Sequence, residues 1–231
     1  MKEAYIRFMA PVIPQTANAL FQIIDAKLKQ KIERLHVMIS SPGGSVFHGL
    51  SVHNFLKGAP IEVYTYNFGS VDSIGVVIFC AGDRRFSVPH ARFLIHGVQI
   101  NFQGNHSLDE KGLEEKLKGL QIDYQNIARV IADTVQKPAH KVQDDMNNRT
   151  TLTPQEAKNY GLVHEIKPDL FPIGADLSVV GESVSQPQQF QVQVPQPGMP
   201  VPQVRHMTAP DVKAFTQSAS LHYGTSFETV S

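Results

Sequence analysis

Cysteine and tryptophan are almost missing from this chain of 231 residues, which has one cysteine and no tryptophan. The single cysteine, Cys80, excludes a disulfide within the chain and argues against a metal site built on thiolates. Cys80 lies inside the apolar run IGVVIFCAG, a setting typical of a buried and unreactive thiol. These features favour a protein of a reducing, cytoplasmic compartment.

An excess of charge of either sign is also missing, because 21 Lys and Arg residues balance 21 Asp and Glu residues. A neutral chain gives no electrostatic reason to expect nucleic acid or an anionic membrane as a partner. Apolar runs stay well below the ~18 residues that would span a bilayer. The N-terminal stretch MKEAYIRFMAP lacks the apolar segment of a secretory signal, so we expect a soluble protein.

Motifs for binding metals and nucleotides are missing as well. The histidines, among them His36, His48, His53 and His90, do not form HExxH or a similar ligand spacing. The glycine turn SPGGSV lacks the Lys-Ser/Thr pair of a phosphate-binding loop. We therefore expect no metal and no cofactor, and any use of ATP would have to come from another protein.

The chain divides into two regions of different composition. Residues 1–167 alternate apolar runs with amphipathic segments, whereas residues 168–231 include QPQQFQVQVPQPGMPVPQ, which is rich in Gln and Pro. Such a composition buries too little apolar surface to offset the loss of chain entropy. We predict one folded domain over residues 1–167 and a C-terminal extension over residues 168–231. From about residue 182 this extension is predicted to be largely disordered.

In the first region, strands are predicted to alternate with helices. The strand candidates are YIRFMA, RLHVMIS, IEVYTYNF, RRFSV, RFLIH and VHEI. Helices are predicted from Thr16 towards Lys31, from the glycine turn to Gly58, and from about Ser73. This order predicts an α/β fold with a largely parallel sheet and crossover helices.

Two further helices carry their own start signals. A Ser107–Glu110 capping box predicts the start of a long helix, and Lys137-Pro138 predicts its end. A second capping box, Thr153–Glu156, predicts a short final helix that ends at Gly161.

Ser73 follows an apolar strand that is predicted to end at Phe68, and it opens an apolar helix. The N-terminus of a helix offers unpaired N–H groups and the positive end of the helix dipole. These groups can stabilise the oxyanion that forms when a serine attacks a carbonyl. On this segment alone, a serine that only caps the helix is the more common interpretation.

His96 ends the apolar strand RFLIHG, at the edge of the predicted sheet where open α/β folds place their sites. A serine hydroxyl is a weak nucleophile until a base takes its proton, and a histidine can be that base. A single histidine in this position is more often a hydrogen-bonded structural residue. The adjacent glycines of SPGGSV could turn backbone amides towards an oxyanion.

Together these elements resemble the proteolytic subunit of the Clp protease. The resemblance rests on the order strand, SPGGSV, helix, strand, Ser at a helix start, AG-x-x-RF, a turn with proline, RFLIHG, long helix and LTPQEAKNYGLV. It covers roughly residues 4–167. Each motif is common by itself, and their order and spacing together are specific to this family of serine peptidases.

The resemblance implies a crotonase-like fold with a protruding helical handle, which residues 98–137 would form. It implies Ser73 as the nucleophile, His96 as the general base, and the backbone amides of Gly44 and Ile74 as the oxyanion hole. It also implies a homo-oligomer of two stacked rings that the handles join. Unfolded polypeptides would bind as an added strand beside residues 97–104.

The third member of the catalytic triad departs from the family pattern. The family places there an aspartate that orients the histidine, and this position holds Arg149 here. The neighbouring candidates, none of which aligns with it, are Asp144, Asp145, Asn147 and Asn148. An asparagine can also hold a histidine in place, and loss of this group lowers the rate without abolishing catalysis.

Two other departures concern Asp72 and the N-terminus. Asp72 precedes Ser73 where the family has small apolar residues, and along a strand its side chain should point away from that of Ser73. The sequence starts only a few residues before the first strand, so the segment that forms the axial loops of the family is nearly absent. Docking to an unfoldase ATPase is therefore not assumed.

The sequence thus predicts a serine endopeptidase that cleaves unfolded polypeptides through an acyl-enzyme. The alternative is a catalytically weak or silent ring subunit that shapes an assembly with an active paralogue, and the missing aspartate favours it. A crotonase-like acyl-CoA enzyme is a third interpretation, but the chain lacks an obvious carboxylate pair for moving protons. The substrate, the ring size, the role of the tail and a cellular or phage-derived role stay open.

Overall fold

The computed structural model describes residues 2–100 and 107–181. Contacts divide the chain into two units, Met1–Val184 and Ser185–Ser231, and every described residue belongs to the first unit. The tail for which we predict disorder, from about residue 182, lies outside the described residues.

Strands and helices alternate along the described chain. The strands are β1 (Glu3–Met9), β2 (Arg34–Ser41), β3 (Glu62–Asp72), β4 (Arg84–Ser87), β5 (Arg92–Ile95), β6 (Thr150–Leu152), β7 (Glu165–Ile166) and β8 (Leu177–Gly181). The helices are α1 (Pro14–Lys29), α2 (Val46–Gly58), α3 (Ile74–Phe79), α4 (Glu110–Val135), α5 (Ala139–Asn147) and α6 (Pro154–Tyr160).

The strands form one sheet in the order β6-β5-β3-β2-β1-β8, with β4 paired to β3 and β7 paired to β4. The pairings are parallel, except that β5 and β6 run antiparallel. Parallel neighbours require crossover connections, and α1, α2 and α3 lie on such crossovers. The predicted α/β fold with a largely parallel sheet is confirmed.

Apolar side chains cover both faces of this sheet, as its parallel strands require. Ile6 and Phe8 of β1 belong to the main core, which the helices cover. Tyr5, the residue directly before Ile6, points to the opposite face and packs there with Met38 and Tyr66. Successive side chains of β1 therefore point to opposite faces of the sheet. One face packs against the helices, and the other packs in an aromatic cluster.

Helix α4 has two halves with different surroundings. Its second half is buried through Ile127, Ala128 and Ile131, whereas in its first half Leu113 and Leu117 are 54% and 56% exposed. The first half of α4 therefore lies outside the core, whereas its second half, which was also predicted to belong to the handle, is part of the core. Among the described helices, none is both long enough and apolar enough to cross a membrane.

The ends of two predicted elements differ in the structure. Strand β3 does not end at Phe68 but continues to Asp72, because its last residues pair with β5. The long helix is capped by Asp109, whose side chain accepts a hydrogen bond from the Gly112 N–H at 2.8 Å, and not by Ser107. The capping box of Thr153 and Glu156 is confirmed at the start of α6.

Three elements were not predicted from the sequence: α5, β6 and β8. Strand β8 lies in the predicted C-terminal extension and pairs with β1 at the edge of the sheet. Just before it, Asp176 accepts hydrogen bonds from the buried Lys27 ammonium at 2.7 and 2.8 Å. This ion pair ties the extension to α1, so residues up to Gly181 form part of the folded unit.

Candidate active site

Ser73 stands at the turn from β3 to α3. Its backbone has φ 58° and ψ −128°, a conformation that residues with a side chain rarely adopt. The Ser73 N–H donates a hydrogen bond to the Leu94 carbonyl at 2.8 Å, which holds the strained residue against β5. A serine on a strained strand-to-helix turn is the arrangement by which other hydrolases expose a nucleophile.

Gly43 lies directly against Ser73. A Cβ atom at Gly43 would come within 2.6 Å of the Ser73 Cβ and 3.2 Å of its Oγ. The backbone of Gly43 also has φ +90°, which favours glycine. The sequence analysis noted the glycine pair but did not identify this contact, because the pair alone does not show which element packs on it.

Gly44 is held by the chain that follows β1. The Val12 N–H donates to the Gly43 carbonyl, and the Ser45 N–H donates to the Val12 carbonyl, both at 2.7 Å. A Cβ atom at Gly44 would lie 2.3 Å from the Val12 oxygen, so only glycine fits. The structure places Gly44 and Ile74, the two predicted oxyanion-hole residues, on the wall of one cavity.

His96 follows the last residue of β5. Its Nδ1 lies 2.7 Å from the Gly97 carbonyl oxygen. A carbonyl oxygen only accepts hydrogen bonds, so Nδ1 carries the proton and Nε2 of the neutral ring carries the lone pair. The Gly97 N–H donates to the Met146 carbonyl at 3.0 Å, which anchors this peptide to the end of α5.

One cavity of about 150 Å³ brings these groups together. Ser73, His96, Gly44 and Ile74 all line it. The hydrogen bonds of the described residues do not include one between Ser73 and His96, and such contacts in free enzymes are often long until substrate binds. The cavity shares Gly44 with a groove of about 680 Å³ that runs along α4.

Arg149 is the residue directly before β6, the strand that pairs with β5. The antiparallel register pairs Ile95 with Thr150, and the next position along each strand carries His96 and Arg149. Arg149 has φ 52° and is the last residue of the short connection between α5 and β6. The position that aligns with the aspartate of the family therefore adjoins the end of the ladder that leads to His96, and it carries a cationic side chain.

The other four candidates for the third member make different contacts. Asp145 accepts hydrogen bonds from the Tyr160 hydroxyl at 2.6 Å and from Thr150 at 3.4 Å. Asn147 accepts one from the Tyr124 hydroxyl at 3.0 Å. The Asn148 N–H donates to the Asp144 carbonyl at 2.9 Å. Within residues 2–100 and 107–181, no carboxylate is hydrogen-bonded to His96.

Asp72 turns away from Ser73, as its place on a strand predicts. Its buried carboxylate accepts a hydrogen bond from the Ser70 hydroxyl at 2.8 Å and one from Arg92 Nη2 at 2.8 Å. With Ser70 and Arg92 it lines a separate cavity of about 530 Å³. Asp72 is therefore not in contact with the imidazole.

His36, His53 and Cys80 have structural surroundings. His36 Nδ1 lies 2.8 Å from the Tyr66 hydroxyl, and burial lowers the pKa of His36 to about 4. His53 Nδ1 donates to the Val77 carbonyl at 2.8 Å. Cys80 is fully buried, which raises the pKa of its thiol to about 11. In the part of the chain that the structure describes, no three acidic, histidine or cysteine side chains are grouped like metal ligands.

Comparison with known proteins agrees with this geometry. The family model described as Clp protease matches residues 1–169. The chain belongs to the Clp protease family. It shares its fold with a point mutant of ClpP1 from Listeria monocytogenes, at 24% identity and a TM-score of 0.64. That match covers 71% of this chain and 91% of the Listeria chain.

Membership in this family confirms the resemblance seen in the sequence, and it identifies the chain as a Clp-type protease. The Listeria structure, at its level of identity, shows the fold, and the fold agrees with the predicted α/β architecture.

Proposed function

We propose that the chain is a serine endopeptidase that cleaves unfolded polypeptides through an acyl-enzyme. The observation that carries the proposal is the meeting of Ser73 and His96 in one cavity with Gly44 and Ile74. The strained turn at Ser73 and the fixed tautomer of His96 support it, because a nucleophile needs exposure and a base needs a free lone pair.

The reaction would begin with transfer of the Ser73 Oγ proton to His96 Nε2 while Oγ attacks the scissile carbonyl. The amides of Gly44 and Ile74 would stabilise the oxyanion of the tetrahedral intermediate. His96 would then give its proton to the leaving amine. In the second half of the reaction a water molecule takes the place of the serine, and His96 again acts first as base and then as acid.

The Gly97 carbonyl takes the place of the missing aspartate in this proposal. It fixes the proton on Nδ1, which is one of the two tasks of a triad carboxylate. A neutral carbonyl stabilises the imidazolium cation less than a carboxylate does. We therefore expect slower turnover than a complete triad would give. The same observation supports the alternative, a weak or silent ring subunit beside an active paralogue.

The groove along α4 supports a polypeptide substrate. Phe47, Ile100 and Leu108 line it and are 73%, 39% and 36% exposed. An unfolded chain carries apolar side chains that such a surface would bind, with the backbone extended beside residues 97–100. The rest of the predicted binding segment, residues 101–104, lies outside the described residues.

The exposed half of α4 supports assembly of the chain with copies of itself. Leu113 and Leu117 lie four positions apart and therefore on one face of the helix, and both are more than half exposed. Exposed apolar stripes of this kind mark protein interfaces. A homo-oligomer of two stacked rings, joined through α4, would bury them. We propose that it acts in the cytoplasm, without nucleic acid or membrane as a partner.

Labelling with a fluorophosphonate probe, read by intact mass, tests the proposed function. The wild type should gain one adduct, and both Ser73→Ala and His96→Ala should abolish it, since the probe reacts only with an activated serine. An analysis of assembly size on the same samples would accompany the labelling. A protein that assembles into rings and forms no adduct would contradict the peptidase and favour the silent subunit.

A further inference from the structure

Asp72 has an environment that the proposed reaction does not use. The residue is only 7% exposed, although its side chain is polar. Both oxygens are bonded, Oδ1 by the Ser70 hydroxyl and Oδ2 by Arg92 Nη2, each at 2.8 Å. A buried carboxylate costs free energy unless such partners hold it.

The two partners of Asp72 stand on the two strands that carry the candidate catalytic pair. Ser70 lies on β3, which leads into Ser73, and Arg92 opens β5, which leads into His96. In the register of these strands, Ser70 is paired with Arg92 and Asp72 with Leu94. The side chain of Asp72 therefore crosses from one strand to the other, diagonally over the ladder.

The backbone ladder at this place is short. Strand β3 pairs with β5 over Ser70, Val71 and Asp72 only, and the bond from the Ser73 N–H to Leu94 continues it by one residue. Because the ladder is short, side-chain contacts also hold the two strands, and one of them is the hydrogen bond from the Asn67 amide to the Arg92 carbonyl at 2.7 Å. The distance between the Ser73 hydroxyl and the imidazole of His96 depends on the relative position of the two strands, because each residue directly follows its strand.

We propose that Asp72 and Arg92 form a positioning pair that holds β3 and β5 in register, and so sets the approach of Ser73 to His96. The proposal rests on the proposed function, since it concerns the geometry of that reaction. It assigns no contact with substrate to either residue. The pair acts from the face of the sheet opposite to the catalytic cavity.

Three substitutions test this pair. Asp72→Ala removes both hydrogen bonds, Asp72→Asn keeps the shape and one acceptor oxygen, and Arg92→Gln breaks the ion pair from its exposed side. The Arg92 side chain is 53% exposed, so Arg92→Gln should fold even where Asp72→Ala does not. Glu62→Gln is the matched control, because Glu62 pairs with Arg34 at 2.6 Å at the other end of β3.

The measurements are kcat and KM for a fluorogenic peptide, the rate of fluorophosphonate labelling, and the thermal midpoint of each variant. Asp72→Ala should lower kcat and the labelling rate by about tenfold and change KM less than about twofold, because misplaced reacting groups slow chemistry more than binding. Arg92→Gln should have the same effect to a smaller degree, and Asp72→Asn should recover most of the loss. Glu62→Gln should stay within about twofold of the wild type in both rates.

The outcomes separate this inference from the proposed function. If the wild type is labelled and Asp72→Ala and Arg92→Gln are labelled at the same rate, the positioning pair is refuted and the peptidase stands. Loss of thermal stability without a change in kcat would also refute it, since a purely structural role has that signature. A wild type without any adduct would instead contradict the function on which the pair rests.

Discussion

The two halves of the candidate site are built in different ways. Around Ser73, backbone groups from three parts of the chain meet: the end of β3, the glycine pair after β2 and the segment at Val12. Around His96, the ring has one short hydrogen bond, to its own neighbour Gly97, and the cationic Arg149 directly precedes the strand that pairs with β5. Ser73, the proposed nucleophile, is therefore held by close packing, and His96, the proposed base, by a single polar contact.

This difference indicates which residue types each half tolerates. Close backbone packing accepts only glycine at two positions, so the nucleophile half is sensitive to one added methyl group. A side chain that orients the histidine raises the catalytic rate but does not hold the fold together. The base half of the site can therefore lose this side chain while the protein still folds. We expect an enzyme whose serine reacts readily with activated probes and turns over peptides slowly.

The largest effect is expected from breaking the nucleophile half with Gly43→Ala. The new methyl group would lie 2.6 Å from the Ser73 Cβ, and alanine at φ +90° costs about 1–3 kcal/mol of backbone strain. Ser73 would have to move, and the rate of fluorophosphonate labelling should fall by about 100-fold. Intact mass against time measures it.

Gly58→Ala is the control for that experiment. Gly58 ends α2, and nothing lies within 4 Å of a Cβ placed there. This variant should label within about twofold of the wild type and keep its thermal midpoint. Equal labelling of Gly43→Ala and the wild type would show that the close contact at Ser73 does not determine reactivity.

A gain of activity should come from completing the base half with Arg149→Asp. Residues 149 and 96 each lie one position beyond the last pair of the ladder, Ile95 and Thr150, and aspartate tolerates the φ of 52° better than most residues. A carboxylate there would stabilise the imidazolium, and kcat for a peptide substrate should rise by about tenfold. Steady-state kinetics on a fluorogenic peptide measures the change.

Arg149→Ala separates the two possible causes of such a gain. It removes the cation without adding a carboxylate, so its kcat should stay near that of the wild type. An equal rise in both variants would assign the gain to loss of the arginine. A rise in neither would mean that a side chain at this position does not reach His96.

The smallest effect on activity is expected from Asp145→Asn. Asp145 is bonded to the Tyr160 hydroxyl at 2.6 Å, and burial together with this bond raises the pKa of Tyr160. The substitution should cost about 1 kcal/mol of unfolding free energy and leave kcat within about twofold. Urea unfolding and peptide kinetics test both statements.

Tyr160→Phe removes the hydrogen bond that Asp145→Asn only weakens, so it should cost at least as much stability and leave kcat within about twofold. A large loss of kcat in Asp145→Asn alone would identify Asp145 as the group that orients His96. His96 would then be held by more than its single hydrogen bond to Gly97, and the two halves of the site would differ less than their contacts indicate.

Much of the fold was predictable because its signals are local. The capping box at Thr153 and the strand candidate YIRFMA depend on neighbours in the sequence, and both were confirmed. The elements that were missed are short or depend on distant partners. Strand β6 has three residues and forms against β5, and β8 forms against β1, at the opposite end of the sequence.

The site was predictable to a different extent in its two halves. Motif order identified Ser73, His96, Gly44 and Ile74, and the structure places all four around one cavity. The alternation of side chains along a strand correctly predicted that the Asp72 side chain points away from Ser73. The sequence could not show that Gly97 fixes the proton of the imidazole, because that bond depends on how the loop is anchored to α5.

The sequence by itself determined the family, the α/β architecture and the residues to examine, because each follows from residue types at fixed spacing along the chain. Only the tertiary structure decided which residues from separate elements lie in contact. The contact of Gly43 with Ser73, the pairing of Asp72 with Arg92 and the bonding of Asp145 to Tyr160 join residues on separate elements. Their distances depend on how the strands pack and pair, and spacing along one chain does not contain that information.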